Sequence, residues 1–172
     1  MSFADDLLEQ AKHLLNKDGN APKQASLRRA ISTAYYALFH LLIDDAVGKW
    51  GVEHQRSTLA RTFEHGSMAK VCEEFVTSFY VANQPGHLVP LKDVAQTFSE
   101  LQKKRHISDY DNSTVWTKAN TETWVEKAET AFKNWRSVQS LPEAQDFLLY
   151  LFLPKLMPKS EPKTPKPSTS SN

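Results

Sequence analysis

Apolar residues recur at three- and four-residue intervals along most of the first 154 residues, so the chain reads as helical almost throughout. A first helix is predicted from Ser2 to Asn16, with Ser2 as N-cap and Phe3, Leu7, Leu8, Ala11, Leu14 and Leu15 on one side. Lys17-Asp-Gly-Asn20 and Pro22 form a turn. A long second helix runs from about Gln24 to Val47, striped by Leu27, Ile31, Ala34, Tyr35, Leu38, Leu42 and Ala46. Tyr36, Phe39 and Ile43 widen that stripe, which places this helix at the centre of a bundle. Gly48 to Gly51 ends it.

The remaining elements follow the same period. A short helix is expected over Ser57–Glu64, a break at His65-Gly66, and a helix from Ser67 to Val81 on Met68, Val71, Cys72, Phe75 and Phe79. Asn83–Pro90 reads as a loop. Leu91–Asp109 is helical on Leu91, Val94, Ala95, Phe98, Leu101, Arg105 and Ser108. Thr117–Gln139 follows on Asn120, Trp124, Ala128, Ala131, Trp135 and Val138. A last helix reaches Leu153, with Pro142 in its first turn and Ser140 as N-cap. The expected fold is an all-α, up-and-down helical bundle with long central helices.

Composition changes this picture mainly at the C-terminus. Residues 155–172 carry four prolines, four lysines and one acid, Glu161, and read as a disordered tail of charge +3. The whole chain has 21 Lys and Arg against 20 Asp and Glu, a net charge of +1, so the expected domain over 1–154 is mildly acidic. That balance argues against a strongly basic nucleic-acid clamp. Cys72 is the only cysteine, which excludes an intramolecular disulfide and a multi-cysteine zinc site. The longest apolar stretches, Tyr35–Ile43 and Phe147–Leu153, fall short of the about 20 residues that span a bilayer. The start Met-Ser-Phe-Ala-Asp-Asp lacks secretory character, so the expectation is a cytoplasmic protein without membrane attachment.

Dinucleotide, phosphate-loop, zincin, nucleophile-elbow and EF-hand signatures are absent. No pair of the six histidines is spaced i, i+4 on a helix; His65 and Cys72, seven apart, make too small a set for a metal, so no metal or cofactor is expected. Arg105 stands out because it falls in step with Phe98 and Leu101, where a cation needs a partner or a cleft. Asp109 lies in i, i+4 reach as a salt-bridge partner, and Tyr110 can donate its hydroxyl to the same group. Ser32, Tyr36 and His40, at i, i+4 and i+8, form a second polar line that Arg28 extends. Arg61 and His65 are again four apart, the pieces of a metal-independent ribonuclease, with phosphate held by Arg and protons moved by His. The competing reading of His65 is a side chain that satisfies helix-end carbonyls.

Arg29-Ala-Ile-Ser-Thr-Ala-Tyr-Tyr-Ala-Leu-Phe-His40 and Leu101-Gln-Lys-Lys-Arg-His-Ile-Ser-Asp-Tyr-Asp111 together resemble the HEPN superfamily of small helical proteins. The resemblance is to its branch with S-x-A-Y-Y-A-x-F-H and R-x-x-x-D-Y-D segments, and covers residues 2 to 139. It implies a prokaryotic setting and a symmetric homodimer with a cleft between protomers. Relatives act as toxin ribonucleases in toxin–antitoxin pairs, as partners of minimal nucleotidyltransferases, or in phage defence. The nuclease members carry a histidine four to six residues after the arginine, where this chain has Tyr110, Asp111 and Asn112. His106 adjoins Arg105 and points about 100° away on a helix. Tyrosine, with an ordinary pKa of about 10, is a poor general base at pH 7.

The leading expectation is therefore a non-catalytic binding or interaction protein, with no catalytic residue assigned. RNA or a nucleotide would be contacted in a dimer cleft around Arg105, Asp109, Tyr110, Ser32, Tyr36 and His40. The alternative is a ribonuclease toxin that brings Arg61 and His65, or His106, into the cleft across the dimer. A third reading is a structural adaptor, with Phe147–Leu153 laid on a partner or on a second copy.

Overall fold

The computed structural model describes residues 2–81 and 84–158. These residues form seven α-helices: α1 (Phe3–Asn16), α2 (Gln24–Gly48), α3 (Arg56–Ala60), α4 (His65–Val81), α5 (Val89–Tyr110), α6 (Lys118–Val138) and α7 (Pro142–Phe152). The all-α bundle expected from the apolar period is the observed fold. Short 3₁₀ turns at Glu53–Gln55, Gly86–Leu88 and Pro154–Leu156 join or end helices.

Local chemistry sets several boundaries. Ser2 caps α1 by accepting the Asp5 N–H, while the Asp5 carboxylate accepts the Ser2 N–H in return. After α1 the chain turns at Gly19, whose φ of +61° favours a residue without a Cβ. Thr117 caps α6 through the Asn120 N–H.

α2 is the axis of the bundle. Its buried positions, among them Leu27, Ile31, Tyr35, Leu38 and Leu42, occupy nearly its whole circumference. α1, α5 and α6 pack around it. Each fully buried large apolar side chain there stabilises the fold by about 1.5–3 kcal/mol. Chain directions follow from the side-chain pairs. Tyr36 meets Arg105 and Phe39 meets Phe98, so α2 and α5 are antiparallel. Glu100 meets Lys127 and Lys104 meets Trp124, so α5 and α6 are antiparallel as well. Asp5 pairs with Arg136 and Lys12 with Glu129, which fixes α1 against α6 in the same sense.

Five expectations need correction. The helix expected over Ser57–Glu64 is replaced by the Glu53–Gln55 turn and the short α3, and His65-Gly66 is the first turn of α4 rather than a break. The Glu64 carbonyl accepts the Met68 N–H at 2.9 Å, so the glycine is carried inside a helical turn. Pro90 belongs to the first turn of α5, where a missing N–H costs nothing. In α6 the buried face runs through Thr121 and Val125 rather than Asn120 and Trp124. Trp124 lies instead between the ammonium groups of Lys104 and Lys127, 5.1 and 4.6 Å from its ring, a cation–π arrangement available to a large amphipathic side chain. The cap of α7 is Leu141 without a side-chain hydrogen bond, not Ser140.

α7 turns Phe147, Leu148 and Leu151 onto the protein's own core and leaves Leu149 and Leu153 exposed. The chain continues through Pro154–Leu156 to Met157, which packs on the core; residues 159–172 of the expected tail lie outside the described residues. No helix among the described residues is long and apolar enough to cross a membrane.

Candidate functional site

The two sequence segments singled out above face one another across α2 and α5. Arg28, Ser32 and Tyr36 recur every four residues, so they stand in line along α2, and antiparallel α5 presents its C-terminal half to them. Arg28 donates from Nη1 to the Ser108 carbonyl at 3.0 Å and from Nη2 to the Thr114 carbonyl at 2.6 Å. The first of these is a last-turn carbonyl of α5, which lacks a helical partner and carries the negative end of the helix dipole. One turn on, the Ser32 hydroxyl, 1% exposed, donates to Asp109 Oδ1 at 2.5 Å. The other oxygen of Asp109 lies 2.7 Å from Arg105 Nε, off the axis of the N–H bond, so the contact is an ion pair rather than an aligned hydrogen bond. Arg105 Nη2 donates to the Tyr36 hydroxyl at 2.7 Å.

The loop after α5 belongs to the same assembly. Asp111 accepts from the Ser113 hydroxyl and N–H and from the Thr114 hydroxyl, which hold its carboxyl down at about 2. Gln24 grips both the N–H and the carbonyl of Trp116, at 2.9 and 2.7 Å. The aspartates of the D-Y-D segment thus have separate tasks. Asp109 bridges two helices, and Asp111 shapes the turn that Arg28 and Gln24 tie to α2.

Beyond Tyr36 the line of polar groups opens. Arg105 keeps 16% of its side chain exposed, with its guanidinium carbon 5.3 Å from the Tyr36 ring and 5.8 Å from the Tyr110 ring. Tyr110 contributes its ring, two-thirds exposed, and not the hydroxyl contact expected of it. His65, from the first turn of α4, packs over Phe39 at 4.2 Å and lies edge-on to Tyr36 at 5.8 Å. Its Nδ1 is 2.7 Å from the hydroxyl of Tyr35. Burial pushes the pKa of His65 down, and the positive charge of Arg105 and the neighbouring His40 act in the same direction. His40, in edge contact with Phe3 and Phe39, is also pushed down by burial, against the opposing pull of Asp44.

The structure thus brings Ser32, Tyr36, Arg105, Asp109 and the Tyr110 ring together, sets His40 one turn further along α2, and adds His65. It does not bring Arg61, which is exposed at the end of α3 and makes no side-chain hydrogen bond or ion pair with a described residue. His106 is exposed on another side of α5, beside Tyr110 at 5.0 Å. No group of three or more potential metal ligands is gathered among the described residues; Cys72 is fully buried.

Sequence reasoning missed Tyr35 as a polar partner because it lies in the middle of an apolar stripe, and nothing in the spacing connects it to His65 across thirty residues. The chemistry of the open end is that of hydrogen-bond donors. Arg105 has N–H groups beyond those given to Asp109 and Tyr36, the Tyr36 hydroxyl accepts from Arg105 and so has its own proton to donate, and His65 adds an imidazole. The chain matches no family model, no curated protein and no solved structure.

Proposed function

We propose that this chain is a non-catalytic, HEPN-like binding protein that holds a phosphate group of RNA or of a nucleotide at the Arg105 end of the α2–α5 seam. The observation that carries this reading is the convergence of Arg105, Tyr36 and His65 from three helices on one partly open site. Donors of this kind match phosphate oxygens, and arginine adds a permanent charge. Where the resembled nucleases carry histidine, this chain turns out an exposed tyrosine whose ring covers one side of Arg105. Phe3, beside His40, and Tyr110, on Arg105, are exposed apolar rims to the site, which suit a second copy of the chain closing the cleft. One group of this size suits a mononucleotide or a strand end better than long RNA, because the mildly acidic helical region gives no broad positive field.

A second reading, the metal-independent ribonuclease, draws on His65. The expected Arg61–His65 pair is not formed, yet His65 shares the site with Arg105 within one chain. The two readings part in one experiment. Native protein, Arg105→Ala and His65→Ala are incubated with a 5′-phosphorylated RNA oligonucleotide, and binding and cleavage are followed together. Binding that Arg105→Ala abolishes, with intact RNA throughout, is the expected result. Cleavage that disappears in His65→Ala would replace the binding reading with the ribonuclease.

A further inference from the structure

Tyr35 is fully buried, between aromatic neighbours that include Phe39 and Phe98, and its hydroxyl has His65 Nδ1 at 2.7 Å as its hydrogen-bond partner among the described residues. Burial pushes the ionisation of this phenol far above its ordinary range, so the hydroxyl always has a proton to place. A neutral imidazole carries one N–H and one bare nitrogen. If Nδ1 held the proton, it would donate to the tyrosine oxygen, and the phenol proton would be left buried without an acceptor. With the bare nitrogen at Nδ1, the hydroxyl donates to it and both groups are satisfied. The imidazole proton then sits on Nε2.

We infer that Tyr35 is a positioning residue that fixes His65 as an Nε2–H donor for the anion held by Arg105. This rests on the anion-binding reading above and adds to it a defined role for a residue outside the site. The groups around the ring act in one direction. Arg105 on α5 and His40 on α2 are the cationic or cation-forming neighbours, and Tyr35, Tyr36 and Phe39 supply the remaining walls. A doubly protonated His65 would face Arg105 across the same cleft and would require the Tyr35 hydroxyl to turn away from Nδ1. In this state the ring gives a hydrogen bond and cannot take a proton through Nε2. The arrangement therefore selects anion binding over general-base chemistry at His65.

The test is a two-bond ¹H–¹⁵N correlation spectrum of the full chain labelled at histidine, with His65 assigned from the signal lost in His65→Gln. At pH 7 the expected pattern is a protonated Nε2 and a bare Nδ1 for His65, and in Tyr35→Phe a mixture of the two tautomers. Adenosine 5′-monophosphate serves as the binding probe, and its affinity should fall about three- to tenfold in Tyr35→Phe. A protonated Nδ1 in the native spectrum overturns the inference, and if the probe still binds through Arg105 the proposed function stands without it. An unchanged tautomer in folded Tyr35→Phe likewise overturns it. A native protein that binds no probe, with intact His65 signals, overturns the anion reading and the positioning role together. Should Tyr35→Phe fail to fold, the native tautomer alone decides.

Discussion

The α2–α5 seam has two halves built from the same four-residue spacing and put to different use. In the closed half, Arg28 and Ser32 are directed at α5 and its following loop: two carbonyls accept two of the five Arg28 N–H groups, and one carboxylate oxygen accepts the Ser32 hydroxyl. In the open half, Tyr36 and Arg105 satisfy each other only in part, and His65 arrives from α4 with one nitrogen tied to Tyr35. The difference lies in what faces each side chain. A helix C-terminus and a turn offer acceptors, so the closed half forms a staple between α2 and the end of α5. The open half gathers donors around a single bridging carboxylate, Asp109, and has donors left over. Polar residues at helical spacing therefore announce a contact between helices, but the partner's acceptors decide whether a site remains.

The comparison can be broken most severely at Arg28. Arg28→Ala removes two charge-assisted bonds to backbone carbonyls and should cost about 2–3 kcal/mol of stability, read by urea denaturation. Binding of adenosine monophosphate to the folded fraction should be unchanged. A loss of binding with no loss of stability would reverse the roles given to the two halves. Asp109→Ala comes next, because it withdraws the carboxylate shared by the halves. With its side chain 22% exposed, the expected cost is about 1–2 kcal/mol, below that of a fully buried pair. Ser32→Ala removes one buried hydroxyl donor and should cost about 1 kcal/mol. The same loss in Ser32→Ala made on an Asp109→Ala background would show that the two residues do not share one interaction.

The smallest effect is that of pH, and the range in which it acts, rather than its sign, separates the halves again. His65 and His40 have pKa values held below their ordinary value in the folded chain, so the unfolded chain binds protons first as pH falls. Their contribution to stability is complete above about pH 6.5 and is lost as pH falls through the lowered values. The thermal midpoint should decline gently between pH 7.5 and 5.5, and His65→Gln should flatten that decline. The depressed carboxyls lose their contribution only under stronger acid, Asp111 last, as pH falls toward its folded value of about 2. Asp44, raised by burial, opposes this trend in the carboxylate range.

The helical order was legible because burial in this bundle follows the 3.6-residue period with few interruptions. The capping box at Ser2, the centrality of α2 and the Arg105–Asp109 pair could all be read from spacing. Where the reading slipped, a residue with two physical characters took the less obvious one. Trp124 looked like core and became a cation–π platform, Gly66 looked like a break and was absorbed in a helix start, and Pro90 was a first-turn residue rather than a stop. The site was only half legible for a related reason. Contacts within the seam obey helical periodicity on two chain segments, whereas the Tyr35–His65 contact depends on where the short α3 delivers α4. No local rule states that.

The account stands on the claim that donors left over at the open half hold a phosphate group through Arg105. Calorimetric titration of adenosine 5′-monophosphate into native protein and Arg105→Ala tests this most directly, with Arg28→Ala as the control from the closed half. The expected result is saturable binding that weakens at least about tenfold, or 1.4 kcal/mol, in Arg105→Ala and is retained in Arg28→Ala. Equal affinity in native protein and Arg105→Ala, or no binding to either, would contradict it.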